Sequence, residues 1–271
     1  MLLANRTVAE TFGKPESKWH NHTFVYRIHD EPNPEKLNKF MLLISRLGYS
    51  MDVSSRSKLV RSYNKLFEDV EGKGEKNLIE TVAVRTMAKA VYSTDNIGHY
   101  GLAFDYYTHF TSPIRRYPDL MVHRLIERYL IENQGSVNKK DYEEMCQHAS
   151  EMEKQAEEME RQSIKYKQAE YLQDKIGQVF EGLVSGISKW GLFVELKGNK
   201  CEGMVRYENL PGDYYYIDDD NFRVVGQETG RVIQLGDEVR IRVKSVDLFK
   251  HKMDFEMLAD TAKSTKKKKK Y

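Results

Sequence analysis

The chain is poor in cysteine and proline and has no long apolar run. Its two cysteines, Cys146 and Cys201, cannot form a disulfide framework or a four-ligand zinc site, and such sparse use is typical of a reducing compartment. No apolar run approaches the roughly 20 residues of a membrane span, and the N-terminus lacks the basic start and small-residue cleavage site of a signal peptide. Together these absences predict a cytoplasmic protein.

The chain has almost no net charge, but positive charge is concentrated at its C-terminal end. The 271 residues include 43 lysines and arginines against 41 acids, a formal net charge of +2. Residues 261–271 hold six of the lysines and no acid, which leaves 37 basic and 41 acidic residues before them. We expect the Lys-rich tail, residues 260–271, to be disordered and to attract phosphates irrespective of sequence. The remainder, with many apolar and aromatic residues, is rich enough to form cores, which excludes global disorder.

Hydrophobic periodicity separates a helical part from a β-rich part, with a domain boundary near residue 175. A period of about 3.6 indicates helices at residues 1–12, 34–47, 55–69, 76–92, 112–133 and 140–175, and a short strand is indicated at 23–28. After Gly177, β-branched and aromatic residues predict strands at Val179–Ile187, Gly191–Leu196, Cys201–Tyr207, Val239–Val246 and Lys252–Met257. Five short strands with a long excursion inside them are typical of the OB-fold barrel, so the expected fold class is α+β.

The most informative stretch surrounds a Ser-Pro pair. Ser112 is a good N-cap and Pro113 suits the first helical position, so a helix is predicted to start there with Arg115 and Arg116 in its first turn. Free backbone N–H groups, the helix dipole and planar guanidinium forks together suit a phosphate. A second proline, Pro118, is expected to kink or restart the helix.

Aromatic residues interleave with these arginines, as they do where proteins stack on unpaired bases: Tyr106, Tyr107, Phe110 and Tyr117. A Ser-Pro helix start with two arginines is nevertheless common, and most such arginines are solvated or form salt bridges. The residues alone therefore leave a phosphate site and a plain surface helix both open.

A longer pattern resembles a known family. Residues 107–117 read Tyr-Thr-His-Phe-Thr-Ser-Pro-Ile-Arg-Arg-Tyr, preceded by Gly101-Leu102-Ala103 and followed by Asp119-Leu120 and His123-Arg124. This pattern resembles the signature near the C-terminal end of the catalytic (RNB) domain in the ribonuclease II/ribonuclease R family of 3′→5′ exoribonucleases. The run Tyr26-Arg27-Ile28-His29 is similar to another motif of that family.

The resemblance covers almost the whole chain and implies a domain order. Residues 1–175 resemble the mostly helical C-terminal part of the RNB catalytic domain, and residues 176–259 resemble the S1-type RNA-binding domain, a five-stranded OB-fold barrel. The ribonuclease R branch is the nearer one. Met1–Glu10 is helix-forming from its first residue with no cap, so we expect a C-terminal fragment entered in the middle of a helix.

The family's chemistry implies Mg²⁺ ions held by a cluster of aspartates, which would lie upstream of Met1. Asp105 and Asp119 are isolated and match no metal motif, and His20-x-His22 lacks a third ligand, so no metal site is expected within the chain. The resemblance implies a monomeric parent enzyme that degrades single-stranded 3′ ends and structured RNA to nucleoside 5′-monophosphates, with this fragment inactive alone. The alternative is a stand-alone, non-catalytic RNA-binding or adaptor protein.

Site residues follow from the same resemblance. Arg115 would contact the scissile phosphate and support the transition state, as the catalytic residue of this stretch. Supporting, RNA-lining roles are implied for its neighbours in the motif: His109, Thr111, Ser112, Arg116 and Tyr117. His123 and Arg124 are expected to be structural.

Two glutamates of the long helix, Glu153 and Glu160, are seven residues apart and share a face. Either one reaches the RNA channel or both belong to a solvated helix face, and the solvated face is the favoured interpretation. In the barrel, the candidate RNA-binding residues are Phe180, Lys189, Trp190, Phe193 and Arg206. Phe180 and Trp190 are expected to face RNA, whereas Phe193 is assigned equally to the RNA face and to the core.

Overall fold

The computed structural model describes residues 1–73, 75–218 and 222–259. The predicted Lys-rich tail, residues 260–271, lies outside this part of the chain. The chain forms two compact units, one made of residues 1–37 and 85–159 and the other of residues 38–84 with the chain from Glu160 onward. None of the described helices is long and apolar enough to cross a lipid bilayer.

Helices dominate the chain before residue 175, as predicted. They are α1 (Leu2–Gly13), α2 (Pro34–Arg46), α3 (Arg56–Asp69), α4 (Lys76–Thr86), α5 (Tyr117–Ile126) and α6 (Lys139–Gln173). The long helix α6 agrees closely with the predicted 140–175. A single π-helical turn, Glu127–Ile131, follows α5 and occupies most of the remaining stretch that was predicted to be helical.

The core of the first unit gathers apolar side chains from α1, α5 and the strand β1 (Tyr26–Ile28). Phe12 of α1 stacks on Phe24, with ring centroids 4.7 Å apart and planes 5° from parallel. Leu125 and Tyr129 are almost completely buried in the same cluster. Because α1 and α5 are anchored here, the start of α5 is held at the edge of a rigid core.

One predicted helix boundary and one predicted strand boundary are wrong. The helix expected to reach residue 92 ends at Thr86, and Val91–Ser93 forms the strand β2, which pairs antiparallel with β1. The β-branched and aromatic residues of this segment suit strand pairing better than a fourth helical turn. The short strand β1 begins at Tyr26, later than the predicted residue 23.

The predicted helix start at Ser112 is also wrong. Ser112–Arg116 forms a turn, and α5 begins at Tyr117 with Pro118 in its first turn. Pro118 therefore starts the helix, which is one of the two outcomes expected for it. The helix cannot begin earlier with Arg116 in it, because Arg116 adopts extended backbone angles, φ −130° and ψ 117°.

The β-rich part contains the predicted five-stranded barrel. Its strands are β3 (Val179–Ser188), β4 (Gly191–Leu196), β5 (Glu202–Arg206), β9 (Glu238–Asp247) and β10 (Lys252–Met257). The sheet closes in the order β10-β5-β4-β3-β9. Inward-facing side chains such as Leu192, Val194 and Phe255 are fully buried and fill the barrel.

The long excursion between β5 and β9 has structure of its own, which the sequence reading did not predict. It forms a three-stranded antiparallel sheet of β6 (Tyr215–Asp218), β7 (Arg223–Gly226) and β8 (Val232–Gln234). The Asp213 carboxylate fixes one end of this sheet by accepting hydrogen bonds from the backbone N–H groups of Glu228 and Thr229. A hydrogen bond from the Thr229 hydroxyl, together with these backbone bonds, lowers the pKa of Asp213 to about 2.

Candidate nucleic-acid interface

The turn that carries Arg115 is held by three hydrogen bonds. The carbonyl of Ser112 accepts from the backbone N–H groups of Arg115 and Arg116, at 3.3 and 3.1 Å. The N–H of Ser112 in turn donates to Oδ1 of Asp119, at 2.7 Å. Both polar backbone groups of Ser112 are thus used to shape this turn.

Asp119 lies in the first turn of α5 and is completely buried. Besides Ser112, its Oδ1 accepts from Nη2 of Arg116 at 2.8 Å. Only 22% of the Arg116 side chain is exposed. From the sequence, Asp119 was expected to be isolated. In the structure, Asp119 connects the backbone of the turn to one of the two arginines.

Arg115 differs sharply from its neighbour. It is exposed, and its guanidinium makes a long hydrogen bond, 3.4 Å from Nη2 to Oγ of Ser112. Arg115 and Arg116 border a cavity of about 910 Å³ in the first unit, together with Tyr117, Met152 and Glu153. An exposed guanidinium on a fixed turn beside a cavity is suited to bind a phosphate that enters from solvent.

A second cluster of interacting side chains, built around Arg27, borders the same cavity and was not predicted. Arg27 of β1 is 12% exposed and forms a two-pronged ion pair with Glu153, with N–O distances of 2.5 and 3.2 Å. Its guanidinium lies 4.5 Å from the centre of the Tyr92 ring. The Tyr92 hydroxyl and Nδ1 of His109 form a hydrogen bond of 2.9 Å.

These contacts describe the surroundings of the two glutamates, whereas contact of either with RNA stays a prediction. Glu153 lines the cavity and pairs with Arg27, so the solvated-face interpretation is wrong for it. Glu160 is exposed, as a solvated helix face requires.

The chemistry of His109 follows from its surroundings. Burial, with the nearby positive charges of Arg116 and Arg27, lowers the pKa of His109 to about 4. Burial also raises the pKa of Tyr92 to about 12. Near neutral pH the imidazole is therefore neutral and lies beside a protonated phenol, which suits a positioning role and not a cationic contact to phosphate.

The other motif residues have mixed surroundings. Thr111 and Ser112 are half-buried, whereas Tyr117 is half-exposed at the cavity edge. His123 stacks on Phe110, with ring centroids 4.4 Å apart, and its Nε2 hydrogen-bonds to the Phe110 carbonyl. The expected structural role of His123 agrees with these packing contacts.

The barrel carries a second candidate surface. Trp190, Phe193 and Lys252 line a cavity of about 350 Å³ in the second unit, with Lys165 and Lys250 at the same cavity. Phe193 alternates with the buried Leu192 and Val194, so its side chain is on the outer face of the barrel and not in the core. Trp190 is 77% exposed in the turn between β3 and β4.

Phe180 is placed differently from the other aromatic candidates. It lies opposite Ile241 and on the face of β3 that also carries the buried Val184, so it belongs to the interior side of the barrel. Lys189 is exposed next to Trp190, and Arg206 is exposed and 3.6 Å from a carboxylate oxygen of Asp254. The structure thus groups Trp190 with Phe193 but leaves Phe180 apart, and the RNA contacts of all of them stay predictions.

Over residues 1–73, 75–218 and 222–259, histidine, cysteine, aspartate and glutamate form no group of three or more that could hold a metal ion. The described residues therefore do not fit the magnesium cluster that the family implies.

Comparison with known proteins assigns the two parts. Residues 1–132 match the family model described as the RNB domain, and residues 173–258 match that of the S1 RNA binding domain. Ribonuclease R of Aquifex aeolicus is 38% identical over 263 residues, which cover 95% of this chain and 36% of that protein. Over almost its whole length the chain is similar to ribonuclease R, and the RNB and S1 domain models match it one after the other. It spans about a third of the length of the curated relatives it matches.

Solved structures of the family share this fold. The apo form of Mycoplasma genitalium RNase R gives a TM-score of 0.84 at 24% identity, covering 95% of this chain and 40% of that one. The same protein in complex with ribose methylated single-stranded RNA gives a TM-score of 0.83 at 25% identity, with the same coverage. The expected order of RNB and S1 domains is confirmed, whereas the precise boundary near residue 175 stays a prediction.

Proposed function

We propose that these residues are the C-terminal part of a Mg²⁺-dependent 3′→5′ exoribonuclease that releases nucleoside 5′-monophosphates. The observation that carries the proposal is the exposed Arg115 guanidinium on a turn fixed by hydrogen bonds beside a cavity. Similarity to ribonuclease R supports RNA as the substrate. Single-stranded 3′ ends and structured RNA are the proposed partners.

In this function Arg115 binds nonbridging oxygens of the terminal phosphodiester. A guanidinium that is already in place stabilises negative charge as it develops in the transition state, without rearranging at that moment. The neighbouring Arg116 is partly shielded and ion-paired, so its contribution is to maintain the turn. Tyr117, at the cavity edge, offers an aromatic ring to the substrate.

The barrel would hold the RNA outside the catalytic part. Trp190 and Phe193 supply ring faces for unpaired bases, and the neighbouring lysines attract the phosphate backbone. Stacking on rings is tolerant of base identity, because every base has a flat face. The proposal therefore includes degradation without strong base preference.

Magnesium ligands are proposed to come from aspartates beyond these 271 residues. Bound Mg²⁺ would supply an activated water and charge stabilisation at the leaving oxygen. The chain as given is accordingly expected to bind RNA without cutting it. A cytoplasmic location and a monomeric state remain proposals of the same kind.

Two parallel assays with Mg²⁺ and 5′-labelled RNA test this function, one on the 271-residue chain and one on the full-length coding product. We expect stepwise shortening from the 3′ end and release of 5′-monophosphates in the full-length protein only. Clear hydrolysis by the 271-residue chain would refute the placement of the metal ligands. RNA binding without hydrolysis by a full-length product would favour the non-catalytic RNA-binding or adaptor protein instead.

A further inference from the structure

We propose that Asp119 is a positioning residue that holds Arg115 and Arg116 in the geometry required by the scissile phosphate. The inference rests on the proposed function, because it concerns the same phosphate site. Asp119 would not touch RNA itself, since its side chain is completely buried.

The first argument concerns the backbone. Oδ1 of Asp119 accepts from the N–H of Ser112 at 2.7 Å and so closes the loop of residues 112–119. The carbonyl of the same Ser112 accepts from the N–H groups of Arg115 and Arg116. One carboxylate at the start of α5 therefore fixes the residue on which both arginine backbones depend.

The second argument concerns the guanidinium of Arg116. It donates from Nη2 to the same Oδ1 atom at 2.8 Å, so the two bonds share a single acceptor. Among the described residues, Asp119 Oδ2 and Arg116 Nε are buried without a hydrogen-bond partner. A buried ion pair with unmatched polar atoms contributes little net stability, and specifying one conformation is the better explanation for keeping it.

The third argument concerns Arg115, which has little else to hold it. Its side chain is exposed, and its contact to Oγ of Ser112 is long, at 3.4 Å. The direction in which the Arg115 side chain points into solvent is consequently set by the backbone of the turn. Loss of the Asp119 carboxylate would release this turn while leaving the arginine itself intact.

The alternative to this proposal is that Asp119 only stabilises the fold. An acid in the first turn of a helix interacts favourably with the helix dipole, and Asp119 is such an acid in α5. In that case Asp119 would affect folding alone. The two roles differ in whether the loss of kcat on substituting Asp119 multiplies with the loss on substituting Arg115.

The test is steady-state kinetics of Asp119→Asn in the full-length protein on single-stranded RNA. We expect kcat to fall by about 10- to 100-fold while KM changes less than about threefold, because the contact is made in the transition state. In the Asp119→Asn background, Arg115→Ala should lower kcat by at least about tenfold less than it does in the wild-type background, since both changes remove the same interaction. A kcat within twofold of wild type, or two losses that multiply, would overturn the proposal.

Asp95→Asn serves as the matched control. Asp95 is an exposed acid of the same unit that pairs with Lys139, so the control removes the same charge without touching the turn. Thermal melting verifies that each variant is folded at the assay temperature. If Asp119→Asn is not, Asp119→Glu replaces it, because it keeps the charge but displaces the carboxylate by one methylene, and the same two outcomes apply.

A binding measurement on the 271-residue chain separates this inference from the proposed function. A single-stranded RNA with methylated 2′ oxygens is titrated while the Nε–Hε signal of Arg115 is followed by NMR. We expect saturating RNA to shift this signal to one defined position in wild type and to shift it clearly less in Asp119→Asn, and equal shifts in the two proteins would overturn the inference. Absence of exonuclease activity in the wild-type full-length protein would contradict the proposed function alone, and the NMR result would still decide the role of Asp119.

Discussion

At the scale of residues, two adjacent arginines have opposite environments. Arg116 is mostly shielded and bonded to a buried carboxylate, whereas Arg115 is exposed and weakly held. An arginine already paired to a carboxylate binds a phosphate less well, because that pair must first be broken. Arg115 is therefore the one available for an incoming phosphate.

Replacement of Arg115 by lysine tests this division directly. We expect Arg115→Lys in the full-length protein to lower kcat by roughly 100- to 1000-fold, the range found when a charge-stabilising donor is lost. The Kd for RNA should change less than about threefold, because a lysine retains the positive charge but not the planar fork. Normal turnover of the variant would make the assignment wrong. Arg6→Lys, at a surface pair with Glu10 on α1, is the control.

His109 predicts a pH dependence of stability. Its pKa is about 4 in the folded chain against about 6.5 in an unfolded one, so the unfolded state binds more protons between these values. The stabilising contribution is fully present above about pH 6.5 and is lost as the pH falls towards 4. We expect it to be on the order of 2 kcal/mol, after allowance for partial solvent screening.

Urea unfolding at pH 7.5 and pH 5 measures this contribution. The loss of stability on acidification should be smaller in His109→Gln than in wild type, because the variant has no imidazole to protonate. Equal losses in the two proteins would show that His109 does not titrate as its burial requires.

Several members of the candidate site could not be recognised from sequence. Arg27 and Glu153 form an ion pair across 126 positions of the chain, and Glu153 sits on a helix whose pattern is polar throughout. Periodicity reports which side of a helix is apolar, but it does not report which acid meets a distant arginine. The family motif indicated Arg115 because that residue belongs to a short contiguous run.

At the scale of elements, the start of α5 shows that local sequence rules for helix starts do not suffice to place a helix. Ser112 and Pro113 satisfy the rules for a helix start, yet the helix begins five residues later. The N–H of Ser112 is used by Asp119, and Pro118 is an equally good first-turn residue. The sequence alone does not show which of the two prolines starts the helix. The hydrogen bond from Ser112 to the buried Asp119 carboxylate favours Pro118. The five barrel strands were predictable, because their alternation is local.

Gly191 gives a prediction about the barrel. A Cβ atom at this position would lie 2.2 Å from the carbonyl oxygen of Val205 on the neighbouring strand β5. Gly191→Ala should therefore destabilise the barrel by about 2–3 kcal/mol, the magnitude expected for overpacking. Gly198→Ala is the matched control, because a Cβ atom there meets nothing within 4 Å. Urea unfolding followed by the fluorescence of neighbouring Trp190 compares the two, and equal midpoints would contradict the predicted clash.

Trp190 tests the outer surface of the barrel. It is 77% exposed, so its removal leaves the core intact. We expect Trp190→Ala to weaken binding of the 271-residue chain to single-stranded RNA by roughly 5- to 100-fold, the loss of one stacked base. Tyr214→Ala is matched in exposure, at 78%, and lies outside the cavity-lining group. Fluorescence anisotropy measures both, and similar losses would show that Trp190 has no special role.

At the scale of the whole molecule, near-neutrality is a sum over unlike parts. The acidic helix α6 and the turn of residues 112–116, here called the arginine turn, share one cavity, where Asp141, Glu144 and Glu153 offset Arg115 and Arg116. Attraction for a polyanion must therefore come from local sites and from the basic end of the sequence. The affinity of the chain for RNA should depend on where its charges lie more than on their total.

The six terminal lysines allow this to be measured. Each phosphate neutralised on a single strand contributes about −0.7 to the slope of log K against log salt concentration. Deletion of residues 260–271, or replacement of their six lysines by glutamine at constant length, should reduce the magnitude of that slope by up to about 4. The two variants distinguish charge from chain length, because only the deletion shortens the protein. An unchanged slope in both would mean that RNA is held by the barrel and the arginine turn without the basic end.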